Sequence, residues 1–103
     1  MNRVFVVAWE YGERIAGLPY LSGGGGGFDW YFTARDADVA FETEKANCND
    51  PALRAENWTA ARYDVDVRAD PRAAPDAVTR EIESQDSALF DAAPLHYPAK
   101  VSA

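Results

Sequence analysis

Cysteine and histidine are almost absent from this sequence, in which Cys48 and His96 are each the only residue of their kind. One cysteine cannot form an internal disulfide, and small secreted domains normally carry an even set, so we expect a reducing compartment, the cytoplasm. Two such residues cannot make up a zinc site, and we predict no metal and no cofactor. The stretch around Cys48 is typical of a turn after a helix, and we predict that the protein is not an enzyme.

Long hydrophobic runs are also missing. The apolar stretch Val4–Trp9 is shorter than the hydrophobic region of a secretory signal and lacks a small-residue cleavage site. Nothing later approaches the run of about eighteen apolar residues that a membrane span needs. We therefore expect a soluble protein without a targeting segment and without a membrane partner.

Positive charge is scarce, with 10 Lys and Arg against 17 Asp and Glu, which gives a net charge of −7. Affinity for a phosphate backbone comes mainly from cationic side chains, so we expect no direct binding of nucleic acid. A negative charge of this size is ordinary for a small domain that must stay in solution. It also favours association with a basic partner, and composition leaves both interpretations open.

The sequence predicts a single domain over residues 1–103, because this length supports one core and hydrophobic residues make up 48% of the chain. We expect the α+β class, with an antiparallel three-stranded sheet covered by helices in the order β-β-α-β-α. Arg3–Trp9 is apolar on both alternating faces, which is typical of a central strand. It should pair as a hairpin with Phe28–Thr33, a strand with one buried aromatic face made of Phe28, Trp30 and Phe32.

A third strand is predicted from alternation at Ala61–Arg68, with Tyr63, Val65 and Val67 on its buried side. On its other side lie Asp64 and Asp66, which we expect to form ion pairs with neighbouring arginines.

Two helices complete the predicted fold. Thr33 is placed to cap the first, which should end near Asn47 and bury Ala37, Ala40 and Phe41. The second is expected over 76–86, and an irregular tail from about residue 87 should pack partly on the core.

Five consecutive glycines, Gly23–Gly27, stand between the first two strands. They do not form a phosphate-binding loop, since no Lys and Ser/Thr pair follows them. A dinucleotide fingerprint fails as well, because Phe28 stands where its third glycine is needed. We therefore predict a flexible hairpin loop.

Three segments, VFVVAW, YFTARDADVAFETEKAN and ARYDVDV, with a glycine-rich loop after the first, resemble a layout of small bacteriophage and mobile-element proteins. In that layout a hairpin ends in Phe-Ser/Thr, a helix carries Ala and an aromatic residue (here Ala37 and Phe41), and an edge strand returns. The resemblance covers residues 3–68. The glycine run and the acidic segment after Asp76 lie outside it, so it assigns no functional residue.

Some proteins of this kind are anti-CRISPR or other anti-defence proteins, so the resemblance implies a phage-borne protein that binds a host complex. We therefore expect a non-enzymatic inhibitor whose partner is a host protein or ribonucleoprotein complex with a basic surface. The candidate partner-binding residues are helix carboxylates that would mimic phosphates: Asp36, Asp38, Glu42, Glu44, Glu81, Glu83 and Asp86. Any amphipathic helix would also place charge at these positions.

Two alternatives stay open at this point. One is a structural or accessory phage protein whose aromatic hairpin packs in a homo-oligomer, for example a homodimer. The other is a small enzyme that uses Cys48 or His96.

Overall fold

The α+β class and the order β-β-α-β-α are confirmed by a computed structural model. It describes residues 1–14, 21–50, 58–85 and 95–96. Its elements are β1 (Asn2–Arg14), β2 (Leu21–Tyr31), α1 (Ala34–Asn49), β3 (Thr59–Val67), α2 (Pro75–Glu83) and β4 (Leu95–His96).

One antiparallel sheet has the strand order β2-β1-β3-β4. The first three strands are the predicted ones. The two-residue β4 pairs with Ala60 and Ala61 of β3 and lies where the sequence predicted an irregular tail. The rest of that tail lies outside the described residues.

Strand β1 is central and buried on both faces, as its sequence predicts. Val6, Val7 and Ala8 follow one another along the strand and are each at most 2% exposed. Since successive side chains of a strand point to opposite faces, both faces of the sheet must be covered here. The two helices supply this cover from opposite sides.

The core on the α2 side joins all three long strands to α2. Its buried residues are Val4, Val6, Val65, Val67, Val78 and Ile82. Phe28 and Trp30 pack against this cluster half-buried, and the Trp30 Nε1 donates to Thr79 Oγ1 of α2 at 3.0 Å. Phe32, expected in the same core, is instead 49% exposed, because β2 ends at Tyr31 and the chain turns there to start α1.

Helix α1 begins as predicted and ends later. The Thr33 hydroxyl accepts a hydrogen bond from the Asp36 backbone N–H at 3.2 Å, which satisfies one of the unpaired donors at the helix start. The helix continues past Asn47 to Asn49, so Cys48 lies in its last turn and is buried, not in the turn that the sequence predicted.

Helix α2 is shorter than predicted. It starts one residue early at Pro75, whose fixed φ and missing N–H suit a first helical position, and ends at Glu83. Beyond it the Ser84 hydroxyl donates to the Glu81 carbonyl at 2.7 Å, a local bond that satisfies one carbonyl near the helix end.

The glycine run departs most from the expected fold. Gly23–Gly27 belongs to β2, whereas the sequence predicted a flexible loop. Gly25 lies opposite Tyr11, and Gly27 lies opposite Trp9. A Cβ on Gly25 would lie 3.0 Å from Tyr11 Oη, and one on Gly27 would lie 3.0 Å from Trp9 Cζ2. The aromatic rings of β1 therefore lie across β2 in space that only glycine leaves open.

Gly26 is tighter still, because a Cβ there would lie 2.6 Å from the backbone oxygen of Trp9. We predict that Gly26→Ala lowers the free energy of unfolding by about 1–3 kcal/mol, since the backbone of β1 has to shift. Gly25→Ala is the matched control, because its new methyl meets the far end of the flexible Tyr11 side chain, and it should change stability by less than about 1 kcal/mol. Urea unfolding measures both, and equal losses would contradict this account.

The α1 face of the sheet

The candidate surface is the side of the sheet that packs against α1, which we call the α1 face. The strand register places on it Phe5, Val7, Trp9, Tyr11, Asp29, Tyr31, Arg62, Asp64 and Asp66. Arg62 identifies the side, because its Nε lies 3.0 Å from Asp38 Oδ1 of α1.

The carboxylates predicted on α1 divide into three kinds. Asp38 and Glu42 are exposed and form ion pairs with Arg62 and Lys45, respectively. Asp36 is exposed in the first turn and has no ion pair within residues 1–14, 21–50 and 58–85. Glu44 is half-buried.

The position of Glu44 corrects the expectation that it faces water. It lies in the inward stripe of α1 with Ala37, Phe41 and Cys48, at the spacing that places side chains on one helix face. Its Oε2 accepts hydrogen bonds from Trp58 Nε1 at 3.1 Å and Asn47 Nδ2 at 3.3 Å. This carboxylate therefore anchors an indole inside the fold.

The carboxylates predicted on α2 do not join those of α1, because α2 covers the opposite face. Glu81 accepts hydrogen bonds from the backbone N–H groups of Arg68 and Ala69, both at 2.8 Å, and these bonds lower the pKa of its carboxyl group. It thus ties the chain after β3 to α2. Glu83 is exposed, and Asp86 lies outside the described residues.

A stacked aromatic pair that the sequence analysis missed lies on the α1 face. The rings of Tyr11 and Trp58 are nearly parallel, with centroids 4.7 Å apart. Through Gly25 beneath Tyr11 and Glu44 beside Trp58, the stack connects the three long strands with α1. The sequence signal that could have indicated this stack is the pair Trp9 and Tyr11 on one face of β1, followed by a glycine run that leaves room for their rings.

Negative charge on the α1 face is paired beside β3. Asp66 lies directly opposite Arg3 in the register and 3.1 Å from its Nε, and Asp64 lies 2.7 Å from Arg62 Nη1. These contacts confirm the ion pairs that the sequence predicted. They leave this side of the face partly neutralised.

Negative charge collects without such pairing beside β2. The pKa of Tyr31 is raised, first by burial of its hydroxyl and then by the carboxylates of Asp29, Glu44 and Asp36. Asp29 and Asp36 are exposed, and neither has an ion pair in the described part of the chain. Negative charge that has no ion pair among the described residues therefore lies next to β2.

Chemistry at Cys48 is unfavourable in this fold. Burial, with a contribution from the nearby Glu44, raises the pKa of its thiol to about 11, so the nucleophilic thiolate is scarce at neutral pH. The side chain of His96 is not among those described. Within the described ranges no group of three His, Cys, Asp or Glu side chains could hold a metal ion.

The chain was compared with known families and structures. No family model, curated protein or solved structure matches it. The resemblance to small phage proteins therefore stays a prediction. In the described part of the chain, neither α1 nor α2 has the length and apolar character of a membrane-crossing helix.

Glu81 generates a pH-dependent prediction. Its carboxyl pKa is lower in the folded than in the unfolded state, so its stabilising effect is present above the unfolded pKa and is lost as the pH falls through the folded one. We expect Glu81→Gln to lower the urea midpoint at about pH 7, and the difference from wild type to shrink by about pH 3. Glu83→Gln, on the same helix, should change the midpoint little; an equal effect of the two substitutions would refute the role of Glu81.

Cys48 generates a kinetic prediction. Because the thiol is buried and protonated, we expect an alkylating reagent at about pH 8 to modify the native protein at least ~100-fold more slowly than the urea-unfolded chain. Mass spectrometry of the alkylated chain follows both rates. Rapid labelling of the native protein would contradict this account and would support a nucleophilic Cys48.

Proposed function

We propose that this protein is a phage-encoded, non-enzymatic inhibitor that acts in the cytoplasm of a bacterial host. It binds a basic surface of a nucleic-acid-directed defence complex, of the kind that anti-CRISPR proteins block. The observation that carries the proposal is the negative charge of Asp29 and Asp36 beside β2, which has no ion pair among the described residues.

The electrostatic argument starts from the partner. A complex that acts on nucleic acid keeps a channel of Arg and Lys side chains for the phosphate backbone. An anionic protein is attracted to that channel by the same Coulomb forces, which also steer its approach. Exposed carboxylates without an intramolecular cation are the groups that supply this attraction, since paired ones are already neutralised.

Of the predicted binding residues, we retain in the proposed surface those that are exposed on α1. Asp36, which lies with Asp29 near Tyr31, is at the centre of the proposed surface. Asp38 and Glu42 are exposed on the same helix, but their ion pairs with Arg62 and Lys45 make them weaker contributors. Glu44 and Glu81 hold other parts of the chain in place, so we assign them to the fold. Glu83 lies on α2, on the other side of the sheet.

The alternative is an accessory phage protein that forms a homo-oligomer. The aromatic hairpin on which this alternative depends is partly covered, since Phe28 and Trp30 pack half-buried against the α2-side core. Phe32 remains exposed, with the Arg72 guanidinium 5.1 Å from the centre of its ring. Mass in solution on dilution separates a stable oligomer from a monomeric inhibitor.

Capture from a bacterial lysate tests the proposal. We expect the tagged wild-type chain to retain a basic nuclease or ribonucleoprotein complex at low salt and to lose it at about 0.5 M salt, because salt screens exposed charges. Asp36→Lys should reduce capture and inhibition of nucleic-acid cleavage by at least about tenfold.

Glu83→Lys is the matched control, since it changes the net charge equally on the opposite side of the sheet and should leave capture intact. Capture that survives high salt, or that falls equally in both variants, would contradict an interface on the α1 face. Recovery of the bait alone at an oligomeric mass would favour the accessory protein.

A further inference from the structure

Strand β2 lies at one edge of the described sheet. Strand β2 pairs with β1 along its inner edge, and no strand among the described residues pairs with its outer edge. Proteins usually protect such an edge with Lys, Pro or brevity, because its unpaired N–H and C=O groups bind any extended chain. β2 runs from Leu21 to Tyr31 without Lys or Pro, and Asp29 is its only charged residue.

The opposite edge of the sheet differs. There β4 pairs with Ala60 and Ala61, and the rest of β3 carries charged side chains at Arg62, Asp64 and Asp66. Along β2, by contrast, Gly25–Gly27 presents backbone with no side chain to hinder a neighbour. Among the described residues, the outer edge of β2 therefore has neither a partner strand nor, at Gly25–Gly27, side chains that would hinder one.

The electrostatic surroundings of this edge select its occupant. Asp29 projects from β2 onto the α1 face, and Asp36 and Glu44 of α1 lie near the same strand. On the other face Phe28 and Trp30 are half-buried aromatic residues. A strand added along Phe28–Tyr31 would place alternate side chains on the face of Asp29 and the others on the face of Phe28 and Trp30.

We propose that the outer edge of β2 binds an extended segment of a partner protein in which Lys or Arg alternates with apolar residues. The segment adds a further strand to the sheet, with its cations facing Asp29 and Asp36. Backbone hydrogen bonds supply affinity, and the side-chain alternation supplies specificity. This inference rests on the proposed function and names the chemistry of the partner surface.

A second copy of this chain fits the edge less well. It would bring another Asp29 and another net charge of −7 to a place where negative charge is already uncompensated. A cationic segment neutralises the same carboxylates, so charge complementarity favours a basic partner over self-association.

The test uses two synthetic peptides of about eight residues, one with Lys alternating with Val and one with Lys alternating with Pro. They carry the same charge, but proline has no N–H to donate to a strand ladder. We expect the Lys-Val peptide to bind at least about tenfold more tightly and to protect backbone amides of Gly25–Tyr31 from hydrogen exchange.

Two variants of the full chain locate the site. Asp29→Lys should weaken Lys-Val peptide binding by at least about tenfold, whereas Glu83→Lys, with the same change in charge, should leave it unchanged. Asp29 is exposed, and unchanged urea midpoints verify that both variants fold. If Asp29→Lys is destabilised, Asp29→Asn repeats the test with a smaller expected loss.

Four results would overturn the proposal: no binding of the Lys-Val peptide, equal binding of the two peptides, protection along β3 instead of β2, or concentration-dependent protection of β2 without peptide, which would identify a second copy. The lysate experiment is separate. If Asp36→Lys loses capture while the Lys-Val peptide adds no strand, the proposed function is retained and this inference is rejected. If the Lys-Val peptide adds a strand but no partner is captured, this inference is retained and the proposed function is rejected.

Discussion

The structure depends on burying β1 on both faces. Val6, Val7 and Ala8 are consecutive and almost inaccessible to water, so the strand needs a neighbour on each edge and a cover on each side. β2 and β3 occupy the edges, while α1 and α2 provide the covers. The helices therefore lie on opposite sides of the sheet, and their acidic surfaces cannot combine into one patch.

This separation gives the carboxylates different roles. Those that accept hydrogen bonds from a backbone or side-chain N–H stabilise the fold, as Glu81 does for the chain after β3 and Glu44 does for Trp58. Those beside β2 lack such partners within the described residues. Net charge alone does not distinguish the two groups, whereas the intramolecular contacts do, and they direct attention to Asp29 and Asp36 as the groups available to another molecule.

Much of the fold could be predicted because its signals are local. Alternation identified β3 and the aromatic end of β2, the apolar character of both faces of β1 identified it as the central strand, and Thr33 marked the start of α1. The glycine run was predicted as a loop because glycine is common in loops, whereas in the structure it forms part of β2 beside β1. The glycines leave room for the rings of Trp9 and Tyr11 on the neighbouring strand. Because these aromatic residues are distant from the glycines along the chain, the sequence does not show this contact.

The candidate site was predictable only in its chemical character. Composition indicated an acidic surface, and the single Cys and His and the spacing of the glycines predicted no zinc or nucleotide site. Tertiary structure decided which carboxylates remain uncompensated, because ion pairs such as Asp38 with Arg62 join residues far apart in the sequence. The sequence by itself determined β1, β3, the aromatic end of β2, the two helices and the sign of the charge, since these follow from neighbouring residues. Only the folded chain decided the register that places aromatic rings over glycines and the place of β2 at an edge of the described sheet, since both depend on which distant segments meet.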